Sequence, residues 1–407
     1  MTPLNHSSSV VRRRLGRHSD TIGLRKWVVG ALIGLVVCLP LSVVSADGST
    51  GESTFETATM NTPWTTTEIA GDIGAFSHVS VAADAFWGLL FIVWYDAVNG
   101  DLRWARTVDS GGNCGPGAAW YCEGIYTVGD VGKYNSITIR NTPGGVDVVI
   151  PFYDATNERL LYVDGAIING VFTKSIFELD VGFADPNDRT GMYTAAQYDS
   201  SGHALIAYQN ETYGGMFGTH RMIAEWVGDG SGNCGGGAVA GDWNCDALFS
   251  NGHAQTFGST GMMMDDQERP VVAFYDDNVG YPVLAYFVGP GGTCGPSNEW
   301  RCFGIGPRPG DTVTGKHVVP FVADGTISVF YQNTYREQLE KATYVYPTPG
   351  NCGWSGGTLS YEWECESIDN MDGNPTRGIS VAADADGYPI VAYQYGLEPG
   401  PAALAVA

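Results

Sequence analysis

At 407 residues with 44% apolar side chains, the chain can bury a large core, as one big domain or as two or three ordinary ones. Its 56 glycines, 12% aromatic residues and only 16% charged residues point away from long helices and toward short strands joined by tight turns. A net charge of −23 repels phosphate backbones and anionic membranes and argues against nucleic-acid partners.

The chain begins with a basic stretch (Arg12, Arg13, Arg14, Arg17, Arg25, Lys26), followed by the apolar run WVVGALIGLVVCLPLSVV and then Val44-Ser45-Ala46. That order predicts a signal peptide over 1–46 cleaved after Ala46, a short linker over 47–61, and one folded domain over 62–407. An uncleaved anchor is the alternative, since about 18 apolar residues can just span a bilayer. Cys38 follows Leu-Val-Val, without the small residue a lipoprotein signal needs before its cysteine. Cleavage removes six of 21 basic and one of 44 acidic residues, leaving 15 against 43, a net charge of −28. The reading is a secreted or extracytoplasmic protein, cell-surface if the segment is retained, whose mature chain is monomeric and not membrane-embedded. Diffuse acidity of this kind reads as a solvated surface rather than a calcium site.

From residue 78 onward the chain repeats. Strands ending in Tyr-Asp or Tyr-Gln recur as FIVWYD, VVIPFYD, ALIAYQ, VVAFYD, ISVFYQ and IVAYQ, with tyrosines at 95, 153, 208, 275, 331 and 393, spaced 55 to 67 residues apart. Each is preceded by a strand and an Asp/Gly turn (DSSG, DADG) and followed by a third strand and a fourth that carries a tryptophan. Four antiparallel strands repeated six times predict an all-β, six-bladed β-propeller, with units near 78–134, 135–190, 191–254, 255–313, 314–374 and 375–407. The sixth unit ends after three strands. The fourth strands share a tryptophan followed five residues later by Ile or Leu: Trp120 and Ile125, Trp243 and Leu248, Trp300 and Ile305, Trp363 and Ile368. Trp64 and Ile69 repeat the spacing, so residues 62–70 are expected to complete the last blade and close the ring. Unit two carries FTKSIFEL there, with Phe172 in the tryptophan's place.

Eight cysteines follow the leader, two in each of four units: Cys114 and Cys122, Cys234 and Cys245, Cys294 and Cys302, Cys352 and Cys365. Intervals of 8, 11, 8 and 13 between constant flanks do not suit a metal site, and predict four disulfides across hairpin tips joining strands three and four. No metal ligands and no cofactor are expected: HExxH and phosphate loops are absent from the sequence.

In such a propeller the ends of the second strands and the starts of the first gather on one face, called upper here, while the cysteine hairpins and Asp/Gly turns collect on the other. The candidate ligand-binding residues are Tyr95, Asp96, Tyr153, Asp154, Tyr208, Gln209, Tyr275, Asp276, Tyr331, Gln332, Tyr393 and Gln394, with His78, Asn135, His317 and Arg377 at the first-strand starts. Carboxylates and amides beside aromatic rings suit hydroxyl-rich ligands. The competing reading is that the aspartates cap their own turns and the tyrosines pack between blades. Asn210-Glu211-Thr212 also spells a glycosylation sequon.

The D-x-x-G turns, Tyr-Asp strands and late tryptophan over 62–407 resemble secreted bacterial β-propeller repeat proteins of the broad sialidase-like group. The resemblance implies the fold. It does not carry sialidase catalysis, because that family's S-x-D-x-G-x-x-W boxes belong in the hairpin that here holds the cysteines, and no motif groups Arg140, Arg221 and Arg377. Two functions follow: a non-catalytic extracellular binding or scaffold propeller recognising a glycan or a protein, or a glycan hydrolase or lyase using paired carboxylates such as Asp96 and Asp154.

Overall fold

Each Tyr-Asp or Tyr-Gln run forms the second strand of an antiparallel meander in the computed structural model. The structure describes residues 69–70, 78–84, 86–180, 188–212, 219–235, 241–250, 258–276, 279–306, 315–353, 362–370, 378–383, 387–395 and 403–406. The expected leader, the linker, Trp64 with most of the expected closing strand, and Arg377 lie outside the described residues.

Blade 1 is β1 (Val79–Asp84), β2 (Leu89–Asp96), β3 (Asp101–Thr107) and β4 (Trp120–Tyr126). In blade 2 the first strand is split into β5 (Val131–Lys133) and β6 (Thr138–Thr142), both paired with β7 (Gly145–Asp154), followed by β8 (Arg159–Ile168) and β9 (Val171–Asp180). Blade 3 is β10 (Asp188–Tyr198), β11 (Ala204–Thr212), β12 (Thr219–Trp226) and β13 (Trp243–Ser250). Blade 4 is β14 (Thr260–Met264), β15 (Pro270–Asp276), β16 (Tyr281–Phe287) and β17 (Trp300–Gly304). Blade 5 is β18 (Lys316–Ala323), β19 (Thr326–Asn333), β20 (Gln338–Tyr344) and β21 (Trp363–Asn370). Blade 6 shows three strands among the described residues, β22 (Ile379–Ala383), β23 (Pro389–Tyr395) and β24 (Ala403–Val406). The fold is an all-β, six-bladed propeller, and among the described residues no helix is long and apolar enough to cross a membrane.

Strand alternation explains how the blades stack. In β15, Val271, Ala273 and Tyr275 join the core shared with blade 5, whereas Val272 and Phe274 join the core shared with blade 3. A strand buried on both faces reads as a continuous apolar run, which is why VVAFY shows no polar alternation. Five apolar clusters fill the five seams between consecutive blades. First strands touch first strands of the next blade, which puts them innermost.

Register corrects one equivalence drawn from the sequence. Asp96 pairs with Asp101, Asp154 with Arg159 and Asp276 with Tyr281 across the hairpin after the second strand. In blade 5 the same place is held by Asn333, paired with Gln338, and not by Gln332. Tyr-Gln is therefore out of step with Tyr-Asp by one residue, and a one-residue step reverses the face. Tyr95 and Tyr275 accordingly face the following blade, while Tyr208, Tyr331 and Tyr393 face the preceding one. The six tyrosines form two sets, not one ring.

All four expected disulfides are present, with Cα–Cα distances of 5.8 to 5.9 Å. The flanking residues explain the motif around them. A Cβ on Gly112, Gly232, Gly292 or Gly350 would lie 2.0 to 2.2 Å from the carbonyl oxygen of Trp120, Trp243, Trp300 or Trp363, so only glycine lets the hairpin close on the tryptophan. Asn113, Asn233 and Asn351 each accept from the backbone N–H of the second cysteine at 2.6 to 2.8 Å and donate to its carbonyl at 2.9 to 3.1 Å, extending the ladder with a side chain. Thr293 makes the accepting half at 3.2 Å.

The five-residue step from tryptophan to Ile or Leu encodes a β-bulge. Pairing skips Ile125, Leu248 and Ile368. The odd spacing puts the two residues on opposite faces: Trp243 and Trp363 join the cores shared with the preceding blade, Leu248 and Ile368 those shared with the following one. Unit two has its bulge at Leu179, five residues after Lys174, which removes Phe172 from the tryptophan's place. Phe172 instead packs on Trp104 of blade 1 at 4.0 Å between ring centroids. The β8–β9 hairpin has no disulfide, turning through Asn169 (φ 52°) and Gly170 (φ 76°), the left-handed pair of a tight two-residue hairpin.

Candidate functional site

The second-strand ends do not form an open polar ring. Tyr95, Tyr153, Tyr208, Tyr275, Tyr331 and Tyr393 are at most 7% exposed, and Asp96, Asp154, Gln209, Asp276 and Gln332 at most 4%. Asp96 accepts from the backbone of Val98 and Asn99 and from Asn99 Nδ2, at 2.9 to 3.2 Å. Asp154 accepts from the backbone of Thr156 and Asn157, from Asn157 Nδ2 and from Arg159 Nε, at 2.7 to 3.2 Å. Both are Asx caps whose oxygens are occupied. Asn333 caps its turn the same way through Tyr335 and Arg336.

The tyrosines hold blades together. Tyr208 donates to Asp180 of blade 2 at 2.6 Å, Tyr393 donates to Asp369 of blade 5, and Tyr95 donates to Asp130, in the link to blade 2, at 2.7 Å. Burial raises the Tyr208 hydroxyl well above the ordinary phenol range, with the nearby Asp180 charge adding to it. The side chain of Gln394 lies outside the described residues.

Half-buried side chains at the mouth come from the starts of the inner strands. His78 lies 4.5 Å from Tyr134, and Tyr134 4.5 Å from Tyr193, ring centroid to centroid. The run of rings crosses blades 1, 2 and 3, with Tyr95 and Tyr153 behind it at 6.5 and 6.1 Å. Backbone contacts pin it: Asn135 Nδ2 donates to the His78 carbonyl at 3.1 Å, and the Thr194 N–H to the Tyr134 carbonyl at 3.2 Å. Tyr134 (φ 53°), Tyr193 (φ 51°) and His317 (φ 54°) all hold left-handed backbone, which bulky residues rarely adopt. Each follows a glycine by two in Gly132-Lys-Tyr, Gly191-Met-Tyr and Gly315-Lys-His. That pattern was available in the sequence as a locator, although only the structure shows the strain.

Charged groups flank the rings. Arg189 Nε donates to Glu158 at 3.1 Å, and Gln209 donates to Glu211, whose carboxyl is raised above the usual range by burial and pulled back by Gln209 and the Arg189 and Arg221 charges. Arg221 is buried, donates to Gln209 and to the Tyr275 carbonyl, and is lowered to about 10 by desolvation. Burial lowers His78 and His317 to about 4, with Lys133 and Lys316 respectively adding to the effect, so both rings are neutral at pH 7. Among the described residues no group of three or more His, Cys, Asp or Glu could hold a metal ion.

Arg140 binds the Gly202 carbonyl and Asp147 on the lower face, away from Arg221, so no arginine cluster joins them. Asn210 of the sequon is wholly buried in β11 and cannot receive a glycan on the folded chain.

No protein-family model matches the sequence, and no curated protein matches it. Solved structures do. The fucose-specific lectin of Aleuria aurantia aligns at 12% identity over 84% of this chain and 96% of its own, with a TM-score of 0.43. The Penicillium chrysogenum α-L-arabinanase, solved with arabinobiose, aligns at 11% identity over 81% of this chain and 92% of its own, with a TM-score of 0.47. Likeness at this level concerns the propeller fold and not what this chain binds, and the sialidase-like resemblance likewise stays at the level of fold.

Proposed function

We propose that the protein is an exported, non-catalytic binding propeller that recognises a glycan at the mouth formed by the inner strands of blades 1 to 3. The observation that carries this reading is the ring run His78–Tyr134–Tyr193, two members of which keep left-handed backbone at a cost of about 1–3 kcal/mol each. Backbone strain of this kind clusters at binding sites, and its recurrence at two neighbouring blades supports a platform. The rings suit the apolar face of a sugar, and Lys133, Arg189 and Glu211 suit its hydroxyls. Four disulfides fit an oxidising, extracellular setting. The hydrolase reading loses its carboxylate pair, because Asp96 and Asp154 both spend their oxygens on their own turns.

Tyr193→Gly and Tyr134→Gly test this directly. Glycine relieves the backbone strain, so each variant keeps or raises the melting temperature, while binding to a panel of immobilised glycans falls at least tenfold. Binding unchanged in both variants would sink the mouth as the site, and sugar release by the wild-type chain in a parallel hydrolysis screen would make the protein an enzyme.

A further inference from the structure

The seam between blades 1 and 2 opens on the lower face, opposite the mouth, as a cleft of ≈ 530 Å³. Its rim is unlike the other turns between first and second strands. Where blade 3 has Asp199-Ser-Ser-Gly and blade 4 Asp265-Asp-Gln-Glu, blade 1 has Asp84-Ala-Phe-Trp-Gly. Phe86 and Trp87 are 73% and 55% exposed, on a turn that is firmly built. Asp84 accepts from the N–H groups of Phe86 and Trp87 at 2.8 and 3.1 Å, and Asn141 of blade 2 donates to it at 2.8 Å. The aromatic rim is thus locked to both sides of the seam.

Arg106 lines the same cleft. Arg103, Arg140, Arg159, Arg189 and Arg269 each pair with a carboxylate, whereas Arg106 has none within 4.0 Å among the described residues. It is held by Nη2 donating to the Gly170 carbonyl at 2.6 Å and by its position over the Tyr121 ring at 5.5 Å. An unneutralised guanidinium in so acidic a chain, fixed in a cleft beside an exposed indole, matches a ligand with one anionic group and one apolar face. Gly144 leaves room for it, since a Cβ there would meet nothing within 4 Å.

We infer that this seam is a second, separate site for an acidic saccharide, with Trp87 taking the apolar face of the sugar ring, Arg106 its carboxylate, and Asp109 accepting from its hydroxyls. The inference does not depend on the mouth. Its test is ¹⁹F NMR of the full chain carrying 5-fluorotryptophan, the Trp87 signal being assigned with Trp87→Phe. The probes are oligosaccharides containing galacturonate, glucuronate, mannuronate or sialate, each beside a neutral counterpart. At least one acidic probe shifts the Trp87 signal saturably, with affinity lowered at least tenfold by Arg106→Gln and by Gly144→Phe, which fills the cleft, and unaltered by Tyr193→Gly. No shift with any acidic probe, an equal shift with the neutral counterpart, or binding that survives Gly144→Phe overturns the assignment.

Discussion

His78 and His317 show how burial acts at single residues. Their folded-state values near 4 lie below the ordinary 6.5, so between these pH values the unfolded chain takes up protons that the folded chain refuses. Stability therefore falls as pH drops from 6.5 toward 4, and above 6.5 neither histidine contributes a penalty. One pKa unit corresponds to about 1.4 kcal/mol, so each histidine costs on the order of 2 kcal/mol at pH 4.5. His78→Gln and His317→Asn, the latter tolerant of left-handed backbone, should each shrink by roughly that amount the stability lost between pH 7 and 4.5 in urea unfolding. A loss as large as in the wild type would show that the rings protonate freely in the fold. The same dependence on neighbours limits what residues alone reveal. Asp96 and Asp154 could be read as turn caps or as ligands, with capping the favoured reading, and the choice rests on Val98, Asn99, Thr156 and Asn157 presenting their N–H groups.

At the scale of the element, the disulfide hairpins were almost fully readable, since glycine, asparagine, cysteine and tryptophan interact within one turn of chain. Two features were not. The bulge behind the Trp-to-Ile spacing appears only when the third strand is paired against the fourth, and the Tyr-Asp/Tyr-Gln offset only when Asn333 is seen opposite Gln338. Local motifs record contacts within a hairpin; register records contacts across it. The hairpin of blade 4 allows a comparison between its two devices. Removing the bridge with Cys294→Ser and Cys302→Ser should cost about 2.5–3 kcal/mol, the chain entropy released from a short loop. Gly292→Ala should cost at least as much with the bridge intact, because its Cβ would sit 2.1 Å from the Trp300 oxygen and the pairing must open to admit it. A Gly292→Ala chain melting with the wild type would mean that the hairpin is far softer than its geometry.

Across the whole molecule, stability is a matter of seams, and five of them are filled by the apolar clusters between consecutive blades. The outer faces of the first and last sheets show what a sixth must cover. Ala82 packs against the blade 1–2 core, so Val79 and Val81 on the same strand turn the other way, 57% and 55% exposed. Val391 and Tyr393 pack against blade 5, and Ile390 between their faces is 44% exposed. Burying each such side chain is worth about 1.5–3 kcal/mol, and the two faces together define the sixth seam. By the Trp64-to-Ile69 spacing, the strand over 62–70 is expected to support that seam as the outer strand of blade 6. Deleting residues 62–70 should then lower the melting temperature of the entire domain in one cooperative step, because a ring opened at one seam loses support at both ends. Trp64→Ala should lower it by less, through the lost indole packing alone. A deletion that melts as the intact chain does would mean that the ring closes without this strand.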